Sequence, residues 1–129
     1  MAHRLSQLSS HLSPPRGLLT DQVAIITGSG QGIGAETARL FANEGARVVV
    51  ADIDAVKAQA VADGINNTPD CTGKALAIPG DVLKDDYLNE LVTKAAEFGD
   101  GKINIIVNNA GYTWDGVIHK VRYIASMYQ

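Results

Sequence analysis

A glycine-rich stretch near the start of the chain, TGSGQGIG at residues 27–34, places the strongest constraint on the fold. It follows an apolar run at residues 23–27, which predicts a buried strand, and precedes a helix predicted over residues 31–44 and ended by Gly45. A loop between a strand and a helix directs backbone N–H groups and a helix N-terminus at one point, which favours an anion such as pyrophosphate. We therefore predict a nucleotide-binding turn here, with a purely structural turn as the alternative.

Residues 27–34 are called the glycine loop below, and three of its glycines have different predicted roles. Gly28 makes the tight turn, Gly32 lets a ligand approach the backbone, and Gly34 lets the helix pack on the strand.

Further strands and helices alternate after the glycine loop. Apolar runs predict strands at residues 47–51, 74–78 and 103–107, and helical spacing predicts helices at about 53–65 and 84–98. Uniformly apolar strands that alternate with helices indicate an α/β fold, a doubly wound parallel sheet with helices on both faces. The predicted buried helix positions are Ile33, Thr37, Leu40 and Phe41, then Val56, Ala60 and Val61, then Leu88, Leu91, Val92, Ala95 and Phe98.

Composition excludes several classes of protein. The net charge of −3 does not favour nucleic acid or an anionic membrane, and no apolar run is long enough to span a bilayer. Cys71 is the only cysteine, so an intrachain disulfide is excluded. We expect a cytoplasmic protein.

The first residues differ in composition from the rest of the chain. Residues 1–19 are predicted to form a poorly ordered arm before a domain at 20–129. Because this arm holds four serines and two arginines, and no acidic residue precedes Asp21, a mitochondrial transit peptide is the weaker alternative.

Asp52 ends the second predicted strand, 18 residues beyond Gly34. A carboxylate at this point can accept hydrogen bonds from the adenosine ribose of NAD and would repel the 2′-phosphate of NADP. Gln31 offers no positive charge to that phosphate, so the predicted cofactor is NAD, with NADP less favoured. The alternative role for Asp52 is that of an acid at a helix N-terminus.

Three motifs together resemble the short-chain dehydrogenase/reductase family. TGSGQGIG is similar to its TGxxxGxG motif, Asp81-Val82 to the pair that holds adenine, and Asn108-Asn109-Ala110-Gly111 to its NNAG motif. The resemblance covers roughly residues 18–120. It implies the N-terminal part of a Rossmann NAD(P)-binding sheet in strand order 3-2-1-4, and hydride transfer between a nicotinamide cofactor and a small-molecule alcohol or carbonyl substrate.

The resemblance also implies a set of cofactor contacts. The glycine loop would line the ribose and pyrophosphate, Asp52 the adenosine ribose, Asp81 and Val82 the adenine, and the NNAG segment the ribose nearer the nicotinamide, with Asn108 serving the sheet. The implied cofactor-binding residues are Gly28, Ser29, Gln31, Gly32, Ile33, Gly34, Asp52, Asp81, Val82, Asn109, Ala110 and Gly111.

Catalysis in this family uses a tyrosine with a lysine four residues later, and a serine on the preceding strand. None of Tyr87, Tyr112, Tyr123 and Tyr128 has a lysine at that distance. No catalytic residue and no metal ligand is therefore predicted. The sequence predicts a C-terminally truncated family member whose tail begins a fifth helix, with a stripe of Val117, Val121, Ile124 and Tyr128.

Two alternatives to an oxidoreductase stay open. One is a non-catalytic nucleotide-binding or interaction module, and the other is a truncated product without activity. In each case residues 103–107 are predicted to form an exposed apolar sheet edge, and such edges favour self-association.

Overall fold

The computed structural model describes residues 17–113, which form a parallel sheet with helices on both faces. The predicted tail stripe and most of the predicted arm lie outside these residues. Within them, no helix is long and apolar enough to cross a membrane. The elements in chain order are β1 (Val23–Thr27), α1 (Gly32–Asn43), β2 (Arg47–Ala51), α2 (Ala55–Asn66), β3 (Lys74–Ala77), α3 (Asp85–Phe98) and β4 (Ile105–Val107).

The strand order is β3-β2-β1-β4, which confirms the predicted sheet. All three pairings are parallel, and β1 lies between β2 and β4 with every one of its residues buried. β4 is shorter than predicted. Just before it, Asn104 both donates its backbone N–H to the Val23 carbonyl and accepts the Val23 N–H at its side-chain oxygen, each at 2.9 Å.

Successive residues of the strands feed two apolar layers, because strand side chains alternate between faces. Ile26, Val48 and Val50 pack with α1 and α2 on one face. Ile25 and Val49 pack on the other face with α3. This double coverage is the reason that the strands are apolar at every position rather than at every second one.

The predicted buried stripe of α1 is wrong for Ile33 and Leu40, whereas Phe41 is half-buried and packs against the apolar layer of α1 and α2. The buried residues of the helix are Gly34, Ala35, Ala38 and Ala42, whereas Ile33 is 80% exposed and Leu40 is 59% exposed. Small side chains on this face let the helix backbone approach the sheet closely, so the larger apolar residues lie on other faces.

The buried residues of the other two helices also differ from the predicted ones. In α2 the buried residues are Ala58, Val61, Ala62 and Ile65, so of the predicted positions only Val61 is correct. In α3, Leu91 and Ala95 are buried as predicted, but Leu88 and Val92 are exposed and Tyr87 is buried instead.

The predicted glycine stop after α1 is confirmed. Gly45 has a φ of +94°, a conformation that glycine adopts without a Cβ clash. Its N–H donates to the Ala42 carbonyl at 2.9 Å, and the Ala46 N–H donates to the Phe41 carbonyl at 3.0 Å. These two bonds form a Schellman motif, which turns the chain directly into β2.

Candidate functional site

The glycine loop begins at the end of β1, and its third residue, Ser29, is buried. The Ser29 hydroxyl donates to the Ile26 carbonyl at 2.6 Å and accepts the Ala51 N–H at 3.1 Å. The side chain therefore joins the ends of β1 and β2 inside the protein. Ser29 is one of the residues predicted to contact a cofactor, and its hydroxyl already makes two hydrogen bonds to the sheet.

Two glycines of the loop lie against the NNAG segment. Gly28 has a φ of +65°, and a Cβ built there would lie 2.8 Å from the Ala110 Cα. A Cβ at Gly34 would lie 2.4 Å from the Gly28 carbonyl oxygen and 2.6 Å from the Asn109 amide nitrogen. Distances this short exclude any side chain, so both glycines are required by packing.

Gly32 differs from these two glycines because its surroundings are open. Its φ is +57°, and no atom lies within 4 Å of the place where a Cβ would stand. It is the first residue of α1, after an N-cap, Gln31, whose side chain makes no capping hydrogen bond. Gln31, Gly32 and Ile33 are all exposed, and the first turn holds no acidic residue. The positive end of this helix is therefore open to an anion.

Asp52 is fixed beside the loop by two backbone groups. Its Oδ2 accepts the Gly30 N–H and its Oδ1 accepts the Asp54 N–H, each at 2.9 Å. Each carboxylate oxygen keeps a further lone pair for a ligand donor. The N-cap of α2 is Asp54, whose side chain accepts the Lys57 N–H at 3.1 Å.

Gly30 and Lys57 belong to this corner of the site, and the sequence interpretation missed both. A Cβ at Gly30 would lie 2.9 Å from the Asp52 carboxylate and 3.0 Å from the Lys57 Cβ. The Lys57 ammonium donates to the Gln31 side-chain oxygen at 2.8 Å and lies 3.7 Å from Asp54. The spacing of the family motif carried no signal for Lys57, since the contact joins residues 26 positions apart.

Asp81 and Val82 follow β3 at the same edge of the sheet. The Asp81 Oδ1 accepts the Leu83 N–H at 2.9 Å, which fixes the side chain in a short turn. Val82 packs against the apolar layer that includes Ile78 and Tyr87. One residue earlier, the Gly80 N–H donates to the Asp52 backbone carbonyl at 2.9 Å. This bond places the segment after β3 next to the end of β2.

Asn109 and Thr27 join the glycine loop to the end of β4. The Asn109 amide donates to the Thr27 and Gly28 carbonyls at 3.1 and 3.2 Å. The Thr27 hydroxyl accepts the backbone N–H groups of Asn109 and Ala110 at 3.1 and 3.0 Å. The sequence interpretation assigned a structural task to Asn108, but these contacts belong to Asn109.

Tyr87, at the start of α3, is buried behind the segment that carries Asp81. Its hydroxyl donates to the Ile78 carbonyl. Burial raises the pKa of Tyr87 to about 12, and the carboxylates of Glu90 and Asp52 add to the effect. The phenol of Tyr87 therefore serves the packing of the segment that carries Asp81.

The strand ends therefore bring together an open helix N-terminus, a fixed carboxylate and the NNAG segment. The glycine loop and the NNAG segment meet at the β1–β4 boundary, where the strand order reverses and open α/β sheets bind their ligands, and Asp52 contacts the loop from the β2 side. Within residues 17–113, no three His, Cys, Asp or Glu side chains are grouped as a metal site. The arrangement defines a doubly wound α/β domain with a helix N-terminus open to an anion.

Comparison with known proteins gives the family. The chain matches the family model for short chain dehydrogenases over residues 22–125, and it belongs to that family. It is 44% identical over 101 residues to tropinone reductase-like 1 of Erythroxylum coca, which covers 78% of this chain and 34% of that protein. It is 41% identical over 100 residues to the uncharacterized oxidoreductase YuxG of Bacillus subtilis, covering 78% of this chain and 14% of that one.

Solved structures agree with this assignment. A hydroxysteroid dehydrogenase from Escherichia coli is 39% identical, with a TM-score of 0.68 over 81% of this chain and 45% of that chain. A short chain dehydrogenase from Mycobacterium avium is 37% identical, with a TM-score of 0.72 over 80% of this chain and 37% of that chain. The chain thus spans less than half the length of each of these four proteins.

The packing of Gly34 gives a stability prediction. We expect Gly34→Ala to lower the free energy of unfolding by about 1–3 kcal/mol, because the new Cβ forces the loop away from Asn109. The matched control is Gly64→Ala in α2, where a Cβ would meet nothing within 4 Å beyond its own helix. That variant should be more stable by about 0.4–1 kcal/mol. Urea denaturation measures both, and a Gly34→Ala protein as stable as wild type would contradict the packing argument.

The raised pKa of Tyr87 gives a prediction for alkaline pH. The folded chain keeps the phenol proton up to about pH 12, whereas the unfolded chain releases it near 10. Its contribution to stability is therefore complete below pH 10 and is lost as the pH rises toward 12. Urea denaturation at pH 8, 10 and 11 should show a decline that is smaller in Tyr87→Phe. Parallel declines in the two proteins would argue against a buried, protonated phenol.

Proposed function

We propose that residues 17–113 bind NAD and form the cofactor half of an oxidoreductase that moves a hydride between the nicotinamide and an alcohol or carbonyl carbon. The observation that carries the proposal is the open N-terminus of α1, exposed from Gln31 to Ile33 beside the fixed Asp52 carboxylate. A pyrophosphate needs such a helix terminus, and an adenosine ribose needs such a carboxylate.

The residues of the chain would bind and orient the cofactor, and the cofactor would supply the hydride chemistry. The open space at Gly32 admits a pyrophosphate close to the backbone N–H groups of the first turn. Asp81 offers its free carboxylate oxygen to the adenine amino group, since the other oxygen is held by Leu83. Asn109, Ala110 and Gly111 are exposed at the end of β4, on the side proposed for the nicotinamide ribose.

NAD is the proposed cofactor because a negative charge stands where NADP carries its extra phosphate. The Asp52 carboxylate is fixed there, and Asp54 adds a second negative charge. Lys57 is a cation on the same side, and its ammonium is already engaged by Gln31 and lies near Asp54. We infer that the two carboxylates outweigh it.

We expect the chain to bind NADH about tenfold or more tightly than NADPH in a fluorescence titration, a difference of at least ~1.4 kcal/mol. Asp52→Asn should reduce the difference in affinity between NADH and NADPH, because the amide removes the negative charge but keeps the shape of the side chain. Lys57→Gln is the matched control, and it should weaken the binding of NADPH without weakening the binding of NADH. Equal or tighter binding of NADPH by the wild-type chain would refute the choice of NAD.

Activity separates the oxidoreductase from its alternatives. Incubation with NAD and a panel of secondary alcohols, followed by NADH absorbance, would show turnover in an enzyme. Binding of NADH without turnover would favour a non-catalytic module, and neither signal would favour a product without activity. The names of the relatives, tropinone reductase-like and hydroxysteroid dehydrogenase, support an alcohol or carbonyl substrate of small-molecule size.

We propose a cytoplasmic location, with mitochondria as the weaker alternative. Imaging of a C-terminally tagged protein distinguishes the two, and a shortened mitochondrial product would reject the cytoplasmic proposal.

We also propose that the chain self-associates through β4. This strand is at the edge of the described sheet, and its middle residue, Ile106, is 58% exposed. Sedimentation velocity should show dimers or larger species that shift toward monomer in Ile106→Lys, because a charge on an edge strand opposes pairing. Leu40→Lys, at a similarly exposed position of α1, is the control and should not shift. A wild-type monomer at all concentrations would exclude this interface.

A further inference from the structure

The segment at residues 78–84 links β3 to α3 and carries Asp81 and Val82. The Ile78 and Gly80 N–H groups hold it to β2, donating to the Val50 and Asp52 carbonyls at 2.9 Å each. The Lys84 N–H closes a turn on the Asp81 carbonyl at 3.0 Å. The segment is thus attached to β2 on one side, and its position also depends on what supports it from behind.

That support comes from Tyr87, in the first turn of α3. Its side chain is 7% exposed, and its hydroxyl reaches back to the Ile78 carbonyl. Its ring covers Gly80 so closely that a Cβ there would lie 2.0 and 2.2 Å from the Cδ2 and Cε2 atoms. The ring therefore rests on the backbone one residue before Asp81.

We propose that Tyr87 is a positioning residue for adenine recognition: it holds the 78–84 segment so that the free Asp81 carboxylate oxygen faces the adenine amino group. The proposal rests on the cofactor binding proposed above. Three contacts support it, namely the phenol on Ile78, the ring on Gly80, and Val82 packed in the same apolar layer. Tyr87 would not touch the cofactor, so its effect would pass through Asp81.

The effect can be isolated by comparing two ligands that differ only at the amino edge of the purine. The probes are NADH and reduced nicotinamide hypoxanthine dinucleotide, in which a carbonyl oxygen replaces the amino group and the neighbouring N1 carries a proton. Wild type should bind NADH about tenfold more tightly than the hypoxanthine analogue, because Asp81 accepts from an amino group but repels a carbonyl oxygen. Tyr87→Phe keeps the ring but loses the bond to Ile78, so the ratio of the two dissociation constants should fall to about threefold or less.

Two further variants separate positioning from stability. Leu91→Ala removes a buried side chain from the same layer one turn further along α3, so it should lower thermal stability and leave the ratio near the wild-type value. Gly80→Ala introduces a Cβ against the Tyr87 ring, so it should reduce the ratio as Tyr87→Phe does. It also provides the measurement if Tyr87→Phe does not fold.

The outcomes are distinguishable from failure of the proposed function. If wild type binds neither dinucleotide, the cofactor proposal is wrong and this inference falls with it. If wild type binds both equally, or if Tyr87→Phe and Gly80→Ala keep the full ratio, cofactor binding stands and the role of Tyr87 is overturned. A Leu91→Ala protein that loses the ratio to the same degree would show that Tyr87 acts only through stability.

Discussion

The contact between the glycine loop and the end of β4 is the constraint on which the rest of the site depends. Gly34 approaches the Gly28 carbonyl and the Asn109 amide at distances that leave no room for a Cβ. Because α1 begins two residues before Gly34, this contact determines where the helix N-terminus points. The Thr27 hydroxyl reinforces it by accepting two N–H groups from the β4 side. The opening at Gly32 lies between two glycines held by packing, Gly28 and Gly34, while its own Cβ position faces empty space.

Backbone and side-chain groups have different roles at this site. The side chains of Ser29, Thr27 and Asn109 are engaged in joining strands, even though motif comparison associates two of them with the cofactor. The groups left free for an anion are backbone N–H groups of the first turn of α1. The side chains proposed for recognition are the carboxylates of Asp52 and Asp81, and each is oriented by a backbone N–H that leaves lone pairs free. These hydrogen bonds orient the proposed site without a ligand, which would lower the entropic cost of binding.

The fold could be predicted because its signals are local and strong. Five-residue apolar runs bounded by glycine or charge mark β1 and β2, and both strands have the predicted bounds. Helix faces were predicted less well because the prediction followed residue size. The sheet accepts α1 through Ala35, Ala38 and Ala42, and alanine gives a weak signal in any hydrophobic pattern. The contacts of Lys57 and Tyr87 were missed for a different reason. Lys57 reaches from α2 to the glycine loop, and Tyr87 folds back from the first turn of α3 onto the end of β3. Sequence spacing carries no information on either contact.

The end of β2 shows why these missed contacts matter for function. Asp52 uses its side chain on Gly30 and Asp54 and its backbone carbonyl on Gly80, so one residue connects the glycine loop, the start of α2 and the segment after β3. We expect a change at any of these three points to move the carboxylate that is proposed to select the cofactor. Lys57 adds a cation to the same corner through Gln31. The proposed preference for NAD would therefore depend on a connected group of residues, because the position of the Asp52 charge is set by its neighbours.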